Sequence, residues 1–168
     1  MTSWLKLATM LLVLLAPLPV SQSKRLEKIE KDLHKLEQKF AEQKDPVNRA
    51  KVLAKLLPRE VEAAGIIIQE GQVDQGIAIL THYRDETHRV YQALLATGRN
   101  PEKKPQGYMQ LQIALRECVR SLRDVLDLVP YQRRDSVENV RADMEQLNAR
   151  LLQELFPPPE PKTKKKDE

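Results

Sequence analysis

The side chains with the widest chemical repertoire after residue 23 are His34, His82 and His88, together with a lone Cys118. His82 and His88 are six residues apart, which on a helix turning about 100° per residue puts them on different faces, beyond the reach of one ion. His82 with Glu86, and Asp85 with His88, are the better-placed pairs, and His82, Asp85, Glu86 and His88 are the candidates for a metal site. A di-iron bundle requires carboxylate-x-x-His motifs on two helices. Asp85-x-x-His88 supplies one, while His34 has Lys31 three residues before it. A structural zinc normally takes four protein ligands, so the pattern fits a salt-bridged helix surface better, and no cofactor is expected.

Nucleophiles are as poorly supported. Cys118 sits on an apolar stripe between Leu115 and Leu122, where a free thiol behaves as a small hydrophobe. Ser121 and Ser136 lack the glycines of a nucleophile elbow. Gly71 and Gly76 flank Asp74 without the spacing of a phosphate-binding turn. With no convergent nucleophile, base and orienting group, the chain is expected not to be an enzyme.

The elements that must carry these residues follow a helical period. Leu26, Ile29, Leu33, Leu36 and Phe40 recur at three and four residues, a narrow heptad seam of the kind that pairs two helices. This seam is the candidate partner-binding surface. Asp45-Pro46 reads as the cap and first turn of a second helix, Val47 to Leu57. Pro58 predicts a kink or restart, with helix resuming over Glu60–Glu70 and ending at Gly71. A long amphipathic helix runs from Val73 to Gly98. Arg99–Gly107, with two prolines and three basic residues, reads as a surface loop. Helix returns from Tyr108 to Val129 and stops at Pro130, and a last helix starts at Asp135, which with Glu138 forms a capping box.

The segment Ala64, Gly71, Gly76, Leu80 and Tyr83 resembles one tetratricopeptide-like helix-turn-helix unit, with Gly76 letting two helices approach closely. No second copy follows at a fixed period, so it is read as a local helical hairpin. No stretch shows the alternation of a strand. The fold class is therefore all-α, an antiparallel helical bundle of four to five helices joined by short turns. Its domain is expected over 24–156.

Both ends of the chain differ from this domain. Lys6 is the only charge before residue 24, and the apolar run Leu7 to Ala16 is followed by Pro17, Pro19 and the small residues Ser21 and Ser23. That order reads as a signal peptide over 1–23, cleaved after Ser23. The run is shorter than the roughly 20 residues of a membrane span. The expected location is secreted or periplasmic, the alternative being anchorage by an uncleaved N-terminal segment. Cleavage removes Lys6 and lowers the formal charge of +4 by one. The one remaining cysteine leaves no internal disulfide, so packing alone must hold the fold. Residues 157–168, with Lys162, Lys164, Lys165 and Lys166 among prolines, read as a disordered basic tail.

Export and the scarcity of aromatic residues argue against nucleic acid as a partner. The basic tail could make weak contact with anionic envelope surfaces. The function expected from these features is a non-enzymatic envelope or periplasmic interaction module or scaffold, working with another protein or a second copy through helical stripes. The alternative is a small-ligand or metal carrier that uses the bundle interior or the His82/Glu86 face.

Overall fold

The protein is described by a computed structural model that covers residues 20–158, with side chains described from residue 27. The bulk of the signal segment, the side chain of Leu26, and Lys162, Lys164, Lys165 and Lys166 of the tail lie outside the described residues. Five helices account for the described chain, which contains no strand: α1 (Val20–Glu42), α2 (Pro46–Gln69), α3 (Val73–Ala96), α4 (Tyr108–Leu128) and α5 (Arg134–Leu155). Because α1 begins at Val20, it passes through the expected cut after Ser23. Cleavage there would shorten the helix by about one turn.

The start of α2 follows from two residues. The Asp45 carboxylate accepts a hydrogen bond from the Asn48 amide at 2.8 Å, and Pro46 occupies the first turn, where its missing N–H costs nothing. Of the kink or restart expected at Pro58, the restart does not occur: α2 runs through the proline unbroken. An interior proline costs about 3 kcal/mol. Here it lies between Leu57 and Val61, both fully buried, and each such side chain contributes roughly 1.5–3 kcal/mol by leaving water. Packing on both sides therefore outweighs the local penalty.

The α2–α3 connection is the hairpin expected from the glycines. Gly71 takes φ +89°, a left-handed conformation that ends α2. Gly76 lies so close to α2 that a Cβ there would stand 2.4 Å from Ile68 Cγ1 and 2.9 Å from the Ala64 carbonyl oxygen. The two helix backbones can meet only because that atom is absent.

The last helix departs from its expected start. A 3-10 turn, Tyr131–Arg133, leads into α5 at Arg134, and no side chain caps it. The Glu138 carboxylate, assigned by the sequence to a capping box, is instead engaged by Arg141, whose Nε donates to it at 3.1 Å. A guanidinium one turn along competes successfully for the same oxygens.

α2–α3 and α4–α5 form two antiparallel hairpins, and these pack with like-directed helices side by side. Gly65 and Val125 meet near the ends of α2 and α4, while Val47 and Gly107 meet at their beginnings. Asp74 pairs with Arg133 where α3 and α5 start, and the Tyr91 hydroxyl donates to Glu154 near their ends. The antiparallel order expected throughout therefore holds within each hairpin but not between them. The connection over 97–107 crosses one end of the bundle, held by the Asn100 side chain, which accepts from the Glu102 and Lys103 amides at 2.9 and 3.3 Å.

Leu53, Leu57, Leu80, Leu94, Leu111, Leu115, Leu122, Met144 and Leu151 fill the centre of this four-helix unit with almost no exposed surface. Cys118 lies among them. Burial, with Glu117 adding to it, pushes its thiol far above the ordinary value, as befits an inert core residue. α1 stands outside the unit and packs along α2. Among the described residues no helix is long and apolar enough to cross a membrane.

Candidate functional site

The surface beneath α1 is the most unusual part of the molecule, because it mixes an apolar stripe with buried charge. From α1, Ile29, Leu33 and Phe40 are buried and Leu36 is partly so. The residues proposed to bind a partner are thus covered by the chain's own helices. A stripe two residues wide per heptad is narrow for a core-facing helix, and the floor it meets explains why it suffices. Glu60 of α2 and Glu86 of α3 are only 5% and 7% exposed, two of the four buried polar residues in the described chain.

Glu60 lies on α2 beside Tyr83 of α3 and within the influence of Glu37 of α1. Burial pushes its carboxyl from an ordinary 4.5 to about 7; hydrogen bonding with Tyr83 offsets part of that rise, and the Glu37 carboxylate adds to it. The Tyr83 hydroxyl reaches across from α3 and donates to Glu37 Oε1 of α1 at 3.3 Å. Burial, reinforced by the Glu60 and Glu37 carboxylates, holds that phenol well above its ordinary value, so it remains a hydrogen-bond donor. His82 packs edge-on against the Tyr83 ring, with centroids 5.1 Å apart and planes at 86°.

Glu86 is handled differently. Arg89 donates to its Oε1 at 2.7 Å, and Arg49 Nη2 stands 3.7 Å from Oε2, which accepts no hydrogen bond. The Arg49 guanidinium also lies over the Phe40 ring, 4.3 Å from its centroid. That cation–π contact ties α1 to the α2–α3 hairpin and is worth roughly 0.5–2 kcal/mol, according to how dry it is.

The metal candidates are not brought together as ligands. Glu86 is committed to two arginines, and Asp85 is held by Arg84 at 2.8 Å, which itself lies 3.7 Å from Asp143 of α5. His82 is exposed beside Tyr83, and His88 is half-buried. Among the described residues no three His, Cys, Asp or Glu side chains converge on one point.

A second polar set ties α5 to its neighbours. Tyr91 donates to Glu154, while the second Glu154 oxygen and the Tyr108 hydroxyl are buried without a hydrogen-bond partner. Gln112 donates to Asn148 at 3.1 Å between α4 and α5. Two surface grooves lie elsewhere. One of about 540 Å³ between α4 and α5 is lined by Ile113, Arg116, Arg120 and Asn148, and one of about 630 Å³ lies between α2 and α4. Neither is lined by Glu60, Tyr83, Tyr91 or Glu154. A carboxylate with a pKa near neutrality beside a tyrosine could exchange a proton with a substrate, but these two face a helix of their own chain.

The sequence pattern puts Tyr83 in the local helical hairpin and Glu60 only at the start of a resumed helix, with no role for either. The available signal for Glu60 was its spacing, four residues after Leu56 and four before Ala64, on a face otherwise apolar. Compared with models of protein families, with curated proteins and with solved structures, the chain matches none of them.

Proposed function

We propose that this chain is an exported, non-enzymatic interaction protein in which a four-helix core, α2 to α5, carries α1 as a contact helix that can leave its seat. One observation carries the reading: α1 joins the apolar core only through a narrow stripe, Ile29, Leu33 and Phe40 with Leu36 beside it, packed mainly along α2 with the buried carboxylates Glu60 and Glu86 nearby, whereas α2 to α5 supply the rest of that core. An element seated over charged groups loses less on departure than one embedded in hydrocarbon, because those groups regain water. Released, α1 presents Ile29, Leu33, Leu36 and Phe40 in the heptad spacing that a partner helix or a second copy could take up. Export rests on the apolar segment over 7–16 and the small residues near 23.

The carrier reading draws on the unpartnered Tyr108 hydroxyl and Glu154 oxygen inside the bundle. It is the weaker one, because neither atom lines the grooves between α2 and α4 or between α4 and α5.

A photo-crosslinking amino acid at Leu33, in the chain expressed in its native cells, tests the proposal. Crosslinks to a discrete second protein or to a second copy are expected, and the same group placed at Arg120 on α4 should not form them. Crosslinks from position 33 confined to α2 of the same chain would count against a contact helix.

A further inference from the structure

We infer that α1 is a pH-gated latch: it seats while Glu60 is protonated, and it lifts when Glu60 ionises beside Glu37, handing its apolar stripe to a partner. The inference rests on the reading of α1 as the contact helix and assigns its regulation.

The geometry concentrates one sign of charge at the seam. Glu60 is buried on α2, Glu37 approaches from α1, and the Tyr83 hydroxyl of α3, which donates to Glu37 at 3.3 Å, has one proton to share between the two carboxylates. On α2 itself, Arg59 pairs with Glu62 at 3.1 Å on the exposed side. The guanidiniums beneath α1, Arg49 and Arg89, are engaged with Glu86. A protonated Glu60 carries its own donor and needs no cation. An ionised one is a buried charge next to a second carboxylate, and its way back to water is the departure of α1.

α1 is also the element free to respond. It contacts the rest of the chain mainly along α2, and a three-residue connection, 43–45, joins it to the core. The apolar side chains it buries are few, so a modest change at Glu60 is a sizeable fraction of what holds it. A carboxyl raised to about 7 with α1 seated, and returned toward its ordinary value with α1 lifted, makes the seating constant fall by at most about 30-fold between pH 5.5 and pH 8.5, by the linkage between proton binding and the equilibrium. The direction is fixed: acid closes the latch and alkali opens it.

The test uses the full chain with reporters at two exposed positions, Lys35→Cys on α1 and Lys55→Cys on α2, Cys118 being buried and out of reach of labels. Spin-label distances are measured at pH 5.5 and pH 8.5, with circular dichroism reporting that the core stays folded. A single short distance at pH 5.5 and a growing population of long distances at pH 8.5 are expected. Glu60→Gln, which keeps the hydrogen bond without the charge, should hold the short distance at both values. His82→Gln, which removes the other titratable ring beside Tyr83, should leave the response intact.

A short distance at both pH values in the parent chain overturns the latch, as does an unchanged response in Glu60→Gln or its loss in His82→Gln. These results are separable from failure of the contact-helix reading. A chain whose α1 stays seated at pH 8.5 but still crosslinks a partner from position 33 refutes the gate alone. One whose α1 lifts on schedule without ever crosslinking refutes the contact alone.

Discussion

Leu122→Ala is expected to lower the global stability of the chain by roughly 3–5 kcal/mol, while Leu33→Ala should leave core unfolding within about 0.5 kcal/mol of the parent. Leu122 on α4 has no exposed surface and belongs to the apolar interior shared by α2 to α5. Truncating it removes buried methyl groups and leaves a cavity that two packed hairpins cannot close. Leu33 is equally apolar and nearly as buried, but it reaches the core from α1, which packs mainly along α2. Its loss should weaken the seating of α1 and increase proteolysis within Val20–Glu42. Denaturant unfolding followed by circular dichroism, with and without prior proteolysis, measures both. Equal losses of global stability in the two variants would show that α1 folds as one cooperative unit with the rest.

Glu60→Gln is expected to stabilise the chain by as much as about 3 kcal/mol at pH 8 and by almost nothing at pH 4. The folded-state value of Glu60 is raised, from an ordinary 4.5 to about 7. A raised carboxyl contributes stability that is fully present below 4.5, and that contribution is lost as pH climbs through about 7. Glutamine carries no charge at either end of this window, so the difference between variant and parent grows with pH and levels off above 7. The gain cannot exceed the free energy that seats α1, since the parent can relieve its buried charge by letting α1 go. Unfolding curves at pH 4, 6 and 8 provide the comparison. A difference that is constant with pH, or a variant less stable than the parent at pH 8, would place Glu60 in a different setting from the one described.

The helical stripes were legible because each is a local pattern. Leu111, Leu115, Cys118, Leu122 and Val125 sit four and three residues apart, and all are buried on one side of α4. Asp45-Pro46 and Gly71 marked real helix ends for the same reason, since a cap or a left-handed turn acts within a few residues. Pro58 starts no new helix because its cost is local while the packing of Leu57 and Val61 that overrides it comes from other helices. The capping box at Asp135 failed in a similar way, to Arg141, a competitor one turn further on. A stripe also says which face is buried and not against what, so nothing in it could tell that α2 runs parallel to α4. Glu60 was hidden by its type, because a carboxylate four residues after a leucine reads as solvated until a third helix is laid over it.

The central claim is that α1 is a separable layer on a core that stands without it. Native-state hydrogen exchange resolved by residue tests this most directly, because it reports the free energy of opening at each amide. At pH 8 the amides of Ile29 to Phe40 are expected to exchange through a local opening that depends weakly on denaturant and is promoted as pH rises, after correction for intrinsic rates. Those of Leu111 to Leu122 should exchange only through global unfolding. Equal protection in the two segments, moving together with denaturant and indifferent to Glu60→Gln, would contradict the account.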